Sequence, residues 1–193
     1  MRMPRELASL VVISALAMCI PSLLVADAVA GISPGSASVL VGQTFDIPVN
    51  ITGVTDLFAF QFDLSYDPTI LELLNISEGA FLPTAGATNF IPGTIDNTAG
   101  TATATADALS GFVPGASGNG DLADFEFGAL APGTSALTLA NVTLLDSTLS
   151  PIAFNATNGQ VISTLPEPTS LPVPCVMLAS TLLVASKFRK RAA

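Results

Sequence analysis

Apolar and polar positions alternate with a period of two along most of this chain, the pattern of strands with one buried face. In residues 44–52, Phe45, Ile47, Val49 and Ile51 fall on one side, while Thr44, Asp46, Pro48, Asn50 and Thr52 fall on the other. Pro48 suits an edge strand or a position whose N–H is not needed in a ladder. Residues 58–66 place Phe58, Phe60, Phe62, Leu64 and Tyr66 inward and Ala59, Gln61, Asp63 and Ser65 outward. Asp67-Pro68 ends that strand, because proline has no N–H and biases the residue before it towards extended or turn conformations. Shorter strands are expected at 37–41 and 70–77. In 121–128, Ala123, Phe125 and Phe127 point in and Asp124 and Glu126 point out. Residues 101–106 alternate threonine and alanine, a flat strand with little to pack. In 135–145 the parity slips: Leu137 and Leu139 share a face, but Val142 and Leu144 need the other count, so a β-bulge is expected near Ala140-Asn141. Residues 81–91 read as a loop with a short extended piece, 111–120 as a loop closing on an Asn119-Gly120 turn, and 152–163 as a hairpin across Asn158-Gly159. About nine strands and no amphipathic helix predict an all-β sandwich or barrel.

The two ends do not follow this pattern. Arg2 and Arg5, the apolar stretch 7–25, and two overlapping A-x-A sites have the three parts of an export signal. Cleavage is expected at Ala28 or Ala30, with a slight preference for the latter, making 1–30 a signal peptide. At the other end an apolar segment, 171–186, is followed by Lys187, Arg189, Lys190 and Arg191. A helix of that length reaches about 24 Å, short of a hydrocarbon core of about 30 Å. Snorkelling basic side chains extend the reach and mark the cytoplasmic side. The reading is a membrane-anchor helix within 166–193 and one domain over 31–165.

Charge narrows the function. The chain carries six Lys and Arg and a net charge of −9, and every basic residue lies outside 31–165. Such a domain cannot replace the counterions of a nucleic acid. There is no histidine, and the two cysteines, Cys19 and Cys175, sit in the terminal segments, so His-based triads and most zinc sites are excluded. Asp124 and Glu126 could form a carboxylate pair, but that spacing arises in any acidic outward face, and a sugar cleft would lack tryptophan and have one tyrosine. No catalytic site is expected. Calcium is the one metal with donors to hand, at Asp96, Asn97, Asp107, Asn119, Asp121 and Asp124. Without a D-x-D-x-D-G loop these read as turn formers and solvating charges, and no cofactor is assigned.

Two resemblances add to this reading. Pro166-Glu167-Pro168, the apolar segment and the basic cluster, in that order at the end of the chain, resemble a PEP-CTERM sorting signal. That resemblance implies a membrane enzyme of the exosortase type as partner, inner-membrane anchoring before sorting, and a final place at the cell surface or in an exopolysaccharide matrix. Val41-Gly42-Gln43-Thr44-Phe45, then Tyr66-Asp67-Pro68 with Leu71-Glu72 and Glu78-Gly79, then Asn119-Gly120-Asp121-Leu122-Ala123 leading into Phe125-Glu126-Phe127, are similar to cohesin modules. The resemblance implies a nine-stranded jelly-roll sandwich whose role is recognition of a dockerin. Dockerin-binding cohesins carry an asparagine and an aspartate where Ala59 and Gln61 stand here. The outward residues Gln61, Asp63 and Ser65 are the candidate partner face. The expected function is a non-catalytic exported interaction module. A carbohydrate-binding module, linked to polysaccharide catabolism, and a matrix protein without a specific ligand are the alternatives.

Overall fold

The computed structural model describes residues 28–32 and 36–167. They form ten strands: β1 (Ala28–Ile32), β2 (Ser36–Leu40), β3 (Thr44–Ser65), β4 (Leu71–Glu78), β5 (Thr94–Asp96), β6 (Thr101–Ala108), β7 (Ala116–Ala129), β8 (Gly133–Asp146), β9 (Phe154–Thr157) and β10 (Gly159–Thr164). The helical content of the described residues is one 3₁₀ turn, Leu82–Thr84. None of their helices is long and apolar enough to cross a membrane.

The strand β3 organises the whole. Its first half pairs with β7 and β1, and its second half with β6 and β8. One layer therefore runs β4-β7-β3-β1-β9 and the other β5-β6-β3-β8-β10-β2. The strand passes from one layer to the other through an irregular middle, where Gly53 and Asp56 have φ of 67° and 61° and the register against β7 shifts repeatedly. Bulges of this kind add twist and let one strand turn a corner between sheets. The expectation of two separate strands, 44–52 and 58–66, is thus corrected: a pair of bulges joins them. The bulges also reset the parity, so that Leu57 is fully buried and Phe58 only partly.

The layers pack through the aromatic positions that the alternation placed inside. Phe62 lies 6.0 Å from Phe125, and Tyr66 meets Phe127 edge-on at 5.2 Å and 78°. Phe62, Phe125 and Phe127 are almost completely enclosed. Each such side chain contributes about 1.5–3 kcal/mol by leaving water. The fold is an all-β sandwich.

The bulge expected at Ala140-Asn141 is present, with Asn141 at φ 51° and a register shift against β3. Other expectations are corrected. Asn119-Gly120 is not a turn but lies inside β7, where the Asn119 side chain accepts the Gly53 N–H at 2.6 Å. The segments 154–157 and 159–164 are not a hairpin. β9 runs parallel to β1, and β10 lies between β8 and β2, because Asn158 accepts the Leu139 N–H instead of closing a tight turn. The Thr/Ala strand packs more than its composition suggests, since Ala102, Thr105 and Asp107 are buried.

Ala28 and Ala30 lie in β1, opposite Phe154 and Ala156 of β9. The rest of the expected signal peptide falls outside the described residues, as do Pro168, the apolar segment and Lys187, Arg189, Lys190 and Arg191. Pro166 and Glu167 follow β10 as exposed, non-regular chain.

Candidate functional site

The outer face of β6-β3-β8 is built from two rows of facing residues. Ala108, Ala59 and Leu145 form one row and Ala106, Gln61 and Thr143 the next. Adjacent strands lie about 4.8 Å apart, so small residues on β6 and β3 leave a depression beside larger ones on β8. A further wall comes from the segment between β4 and β5. Its Asn89 and Ile91 N–H groups donate to the carbonyls of Ala108 and Ala106 at 2.9 and 2.8 Å. Together these residues line an open groove of about 260 Å³. Ile91 is half exposed, at 51 %. No lining residue on this outer face carries a charge; the groove's one acid, Asp107, has its side chain turned into the core.

The three residues expected to face a partner have different fates. Gln61 is exposed, lines the groove, and makes no side-chain hydrogen bond among the described residues. Asp63 is committed within the fold. One of its carboxylate oxygens accepts the Ala104 N–H at 2.7 Å and the other accepts the Asn141 side-chain amide at 2.6 Å. Ala104 and Asn141 are both bulge residues with positive φ, at 58° and 51°, so Asp63 supplies acceptors to bulges on both neighbouring strands. Ser65 points its hydroxyl towards the Thr138 carbonyl at 3.5 Å, a weak contact. The groove adds Ala106, Ala108, Thr143, Leu145, Asn89 and Ile91, none of which the sequence singled out as a site. Of these, only Ala106 lay in the Thr/Ala strand read from the sequence.

At one end of this face, Tyr66-Asp67-Pro68 forms a corner. The Tyr66 hydroxyl donates to Asn97 Oδ1 at 2.5 Å, and burial pushes its ionisation up. Asn97 also accepts the Leu73 N–H at 2.8 Å and donates to the Leu73 carbonyl at 3.0 Å, acting as a short strand against β4. The Asp67 N–H donates to the buried Ser135 hydroxyl. Its carboxylate is held below the usual range by the Thr69 hydroxyl and N–H. Gly100 fits here because its φ is 70° and a side chain would meet the Tyr66 carbonyl at 2.3 Å.

Beneath the groove, Asp107 points into the core and is 2 % exposed. Its Oδ1 accepts the Ala108 N–H at 2.8 Å, while Oδ2 has no hydrogen-bond partner among the described residues. Burial, and then the charge of Glu78, push the Asp107 carboxyl up to about 6.

The candidate calcium donors are not brought together. Asp96 caps the Thr98 and Ala99 N–H groups, Asn97 serves Leu73 and Tyr66, Asn119 serves Gly53, and Asp107 lies under the groove. Asp121 and Asp124 are neighbours on β7, where burial and then Asp121 raise Asp124. Among the described residues no three acidic groups converge as a metal would require.

Comparison with known proteins places this geometry. A search of curated proteins gave no match. Among solved structures the chain is similar to a non-cellulosomal cohesin from the hyperthermophilic archaeon Archaeoglobus fulgidus, at 20% identity over 74% of this chain and 94% of that one, with a TM-score of 0.58. It is also similar to the OlpA cohesin of Clostridium thermocellum, seen in complex with a dockerin, at 13% identity over 72% and 99% with a TM-score of 0.59. The seventh ScaB type I cohesin of Pseudobacteroides cellulosolvens matches at 19% identity over 75% and 97%, with a TM-score of 0.56. At these identities the structures establish the sandwich and nothing finer. The model of the cohesin domain family matches residues 30–162, most of the chain, and the protein therefore belongs to the cohesin domain family.

Proposed function

We propose that this chain is a non-catalytic docking module, displayed outside the cell, that binds a dockerin-type protein on the outer face of β6-β3-β8. Cohesin domains are protein-interaction modules, typically of extracellular or cell-surface scaffolds. The observation that carries the reading is the groove itself. Its outer face is shallow, open and uncharged, it is lined by Ala59, Ala106, Ala108, Thr143 and Leu145, and Gln61 stands at its centre with hydrogen-bonding capacity to spare. Desolvating such a surface costs little, and one unpaired amide is enough to fix register. The surrounding domain has acids and no bases, which favours a partner bearing Lys or Arg at the rim.

Asp63 is not part of this contact, because both its oxygens hold the scaffold. With Ala59 in place of a polar residue, binding rests on shape and apolar contact more than on paired hydrogen bonds. Binding of purified dockerins by the wild-type chain and by Gln61→Arg tests the reading. Loss of binding in the variant with unchanged stability supports it.

Export and sorting belong to the same proposal. The N-terminal signal peptide, cut after Ala28 so that Val29 and Ala30 stay in β1, would direct secretion, and Pro166-Glu167-Pro168 with the tail that follows would be processed by an exosortase-type enzyme and release the sandwich to the surface or matrix. The exposed, non-regular chain at Pro166 and Glu167 is accessible to such an enzyme. The polysaccharide-binding alternative is weaker. Phe112 is fully exposed, but a flat glycan needs a platform of rings, and Phe60, Phe62, Phe125 and Phe127 are all buried.

A further inference from the structure

Three large apolar residues stand in water at one end of the sandwich, the end at which the chain leaves it. Leu40 ends β2, Leu130 follows β7 and Leu165 follows β10, and each is about half exposed or more. Backbone hydrogen bonds bring their segments together. The Val41 N–H donates to the Thr164 carbonyl at 2.9 Å, the Gly42 N–H to the Ala129 carbonyl at 2.8 Å, and the Leu130 N–H to the Ile70 carbonyl at 2.8 Å. Single exposed leucines are ordinary. Here, however, 40–43, 129–133 and 163–165 carry no charge at all, in a domain that has acids and no bases. The acids around this end are Asp67, Asp96 and Glu72. The first two accept N–H groups of their own loops, and Glu72 lies along Gly128.

The course of the chain says what this end meets. Residues 166–170 alone separate Leu165 from the apolar segment 171–186. At about 3.3–3.6 Å per residue they reach at most about 20 Å. With 171–186 in a bilayer, the uncharged end is the part of the sandwich held next to the headgroups.

We propose that Leu40, Leu130 and Leu165 form a lipid-contacting foot on which the sandwich stands while its tail is anchored. The inference rests on the reading of 171–186 as a membrane anchor. With no base in 31–165, the foot engages the apolar margin of the interface and gains nothing from anionic headgroups. The consequence is orientation. Gln61 lies five residues along β3 from the Tyr66 corner, about 17 Å from the foot, so the groove stays clear of the bilayer. Asp56, Asp146 and Phe112 lie towards the opposite end, where β3 meets the last residues of β6 and β8.

The test uses the full chain in phosphatidylcholine vesicles, with Cys19→Ser and Cys175→Ser, and one dye-labelled cysteine from Gln43→Cys or Phe112→Cys. Gln43 is exposed between Leu40 and Ala129, and its label leaves all three leucines in place. Flotation with the vesicles checks the anchor. Brominated phosphatidylcholine should quench the dye at 43 about twofold or more above the dye at 112. Leu40→Ser, Leu130→Ser and Leu165→Ser together should abolish that difference while flotation persists, and added phosphatidylglycerol should not raise it. A chain that does not float overturns the foot together with the anchor reading. A chain that floats with equal quenching at both sites, or with more at 112, overturns the foot alone. So does quenching that needs anionic lipid. So does a dye at 43 shielded from iodide yet out of reach of brominated lipid, which would give the leucines to a second copy or to 171–186 itself.

Discussion

Replacing Asn97 with alanine removes three hydrogen bonds at once. Two are to the backbone of Leu73, which is 2 % exposed, and one is from the Tyr66 hydroxyl. An intramolecular bond is worth about 1 kcal/mol net, and a buried group left unpaired costs about 1–3 kcal/mol. Asn97 itself faces solvent, so water replaces part of what is lost and the full sum is not reached. The expected destabilisation is about 2–3 kcal/mol, or roughly 10 °C in Tm for a domain of this size. Urea unfolding should show a lower midpoint at unchanged slope. Tyr66→Phe alone should cost about 1 kcal/mol, and the double variant should cost less than the sum, because the two share a bond. A chelator should leave every value unchanged, since Asn97 serves the corner and not a metal. A cost below about 0.5 kcal/mol for Asn97→Ala, the range of an ordinary surface change, would refute the idea that this side chain holds the corner.

Other outcomes follow from the same structure. Asp56 sits at φ 61° and its carboxylate accepts the Gly115 N–H and the Ser147 hydroxyl, both at 2.6 Å. Asp56→Ala should cost about 1–3 kcal/mol in urea melts, with Asp56→Asn milder because asparagine tolerates the left-handed conformation. The carboxylates of Asp56, Asp67, Asp96 and Asp146 are all lowered by local hydroxyl and N–H donors. Their stabilisation is present above the ordinary value of 3.8 and is lost as pH falls below it, whereas that of Asp107 is lost as pH rises through about 6. Tm should therefore peak between those limits, and Asp107→Asn should flatten the alkaline limb only. Mass spectrometry of exported protein should find the mature N-terminus at Val29, because Val29 and Ala30 pair with β3 and β9 in β1 and cleavage after Ala28 preserves them.

The sandwich was legible in the sequence because burial enforces period-two alternation locally. Phe60, Phe62, Phe125 and Phe127 could be placed inside from their neighbours alone, and the parity slip at Ala140-Asn141 was enough to locate a bulge. What failed was what depends on distant partners. The joining of 44–52 to 58–66 relies on the Asn119 and Ser117 side chains of β7 accepting the Gly53 and Asp56 N–H groups across the gap, and no local signal reports that. Asn119-Gly120 and Asn158-Gly159 looked like turns for the same reason: their side chains are spent on Gly53 and Leu139, both remote in sequence. The candidate site was half legible. The outward parity of Gln61 and Asp63 was right, but a polar residue on an outward face says nothing about whether its neighbours have already engaged it. Asp63 is engaged by two bulges, and the alanines of β6 and the larger Thr143 and Leu145 of β8 that complete the groove reach Gln61 only through the registers of three strands.

The claim that the β6-β3-β8 face docks a dockerin-type partner is tested most directly by calorimetric titration of the wild-type chain, Gln61→Arg and Glu126→Arg with purified dockerins. Glu126 lies on the outer surface of the opposite layer, paired with Asp46 and Asn75. The account predicts binding by the wild type and by Glu126→Arg, and loss of about tenfold or more in affinity for Gln61→Arg, with all three equally folded. Binding that survives Gln61→Arg and is lost in Glu126→Arg would contradict it, as would no binding of any dockerin by the folded wild type.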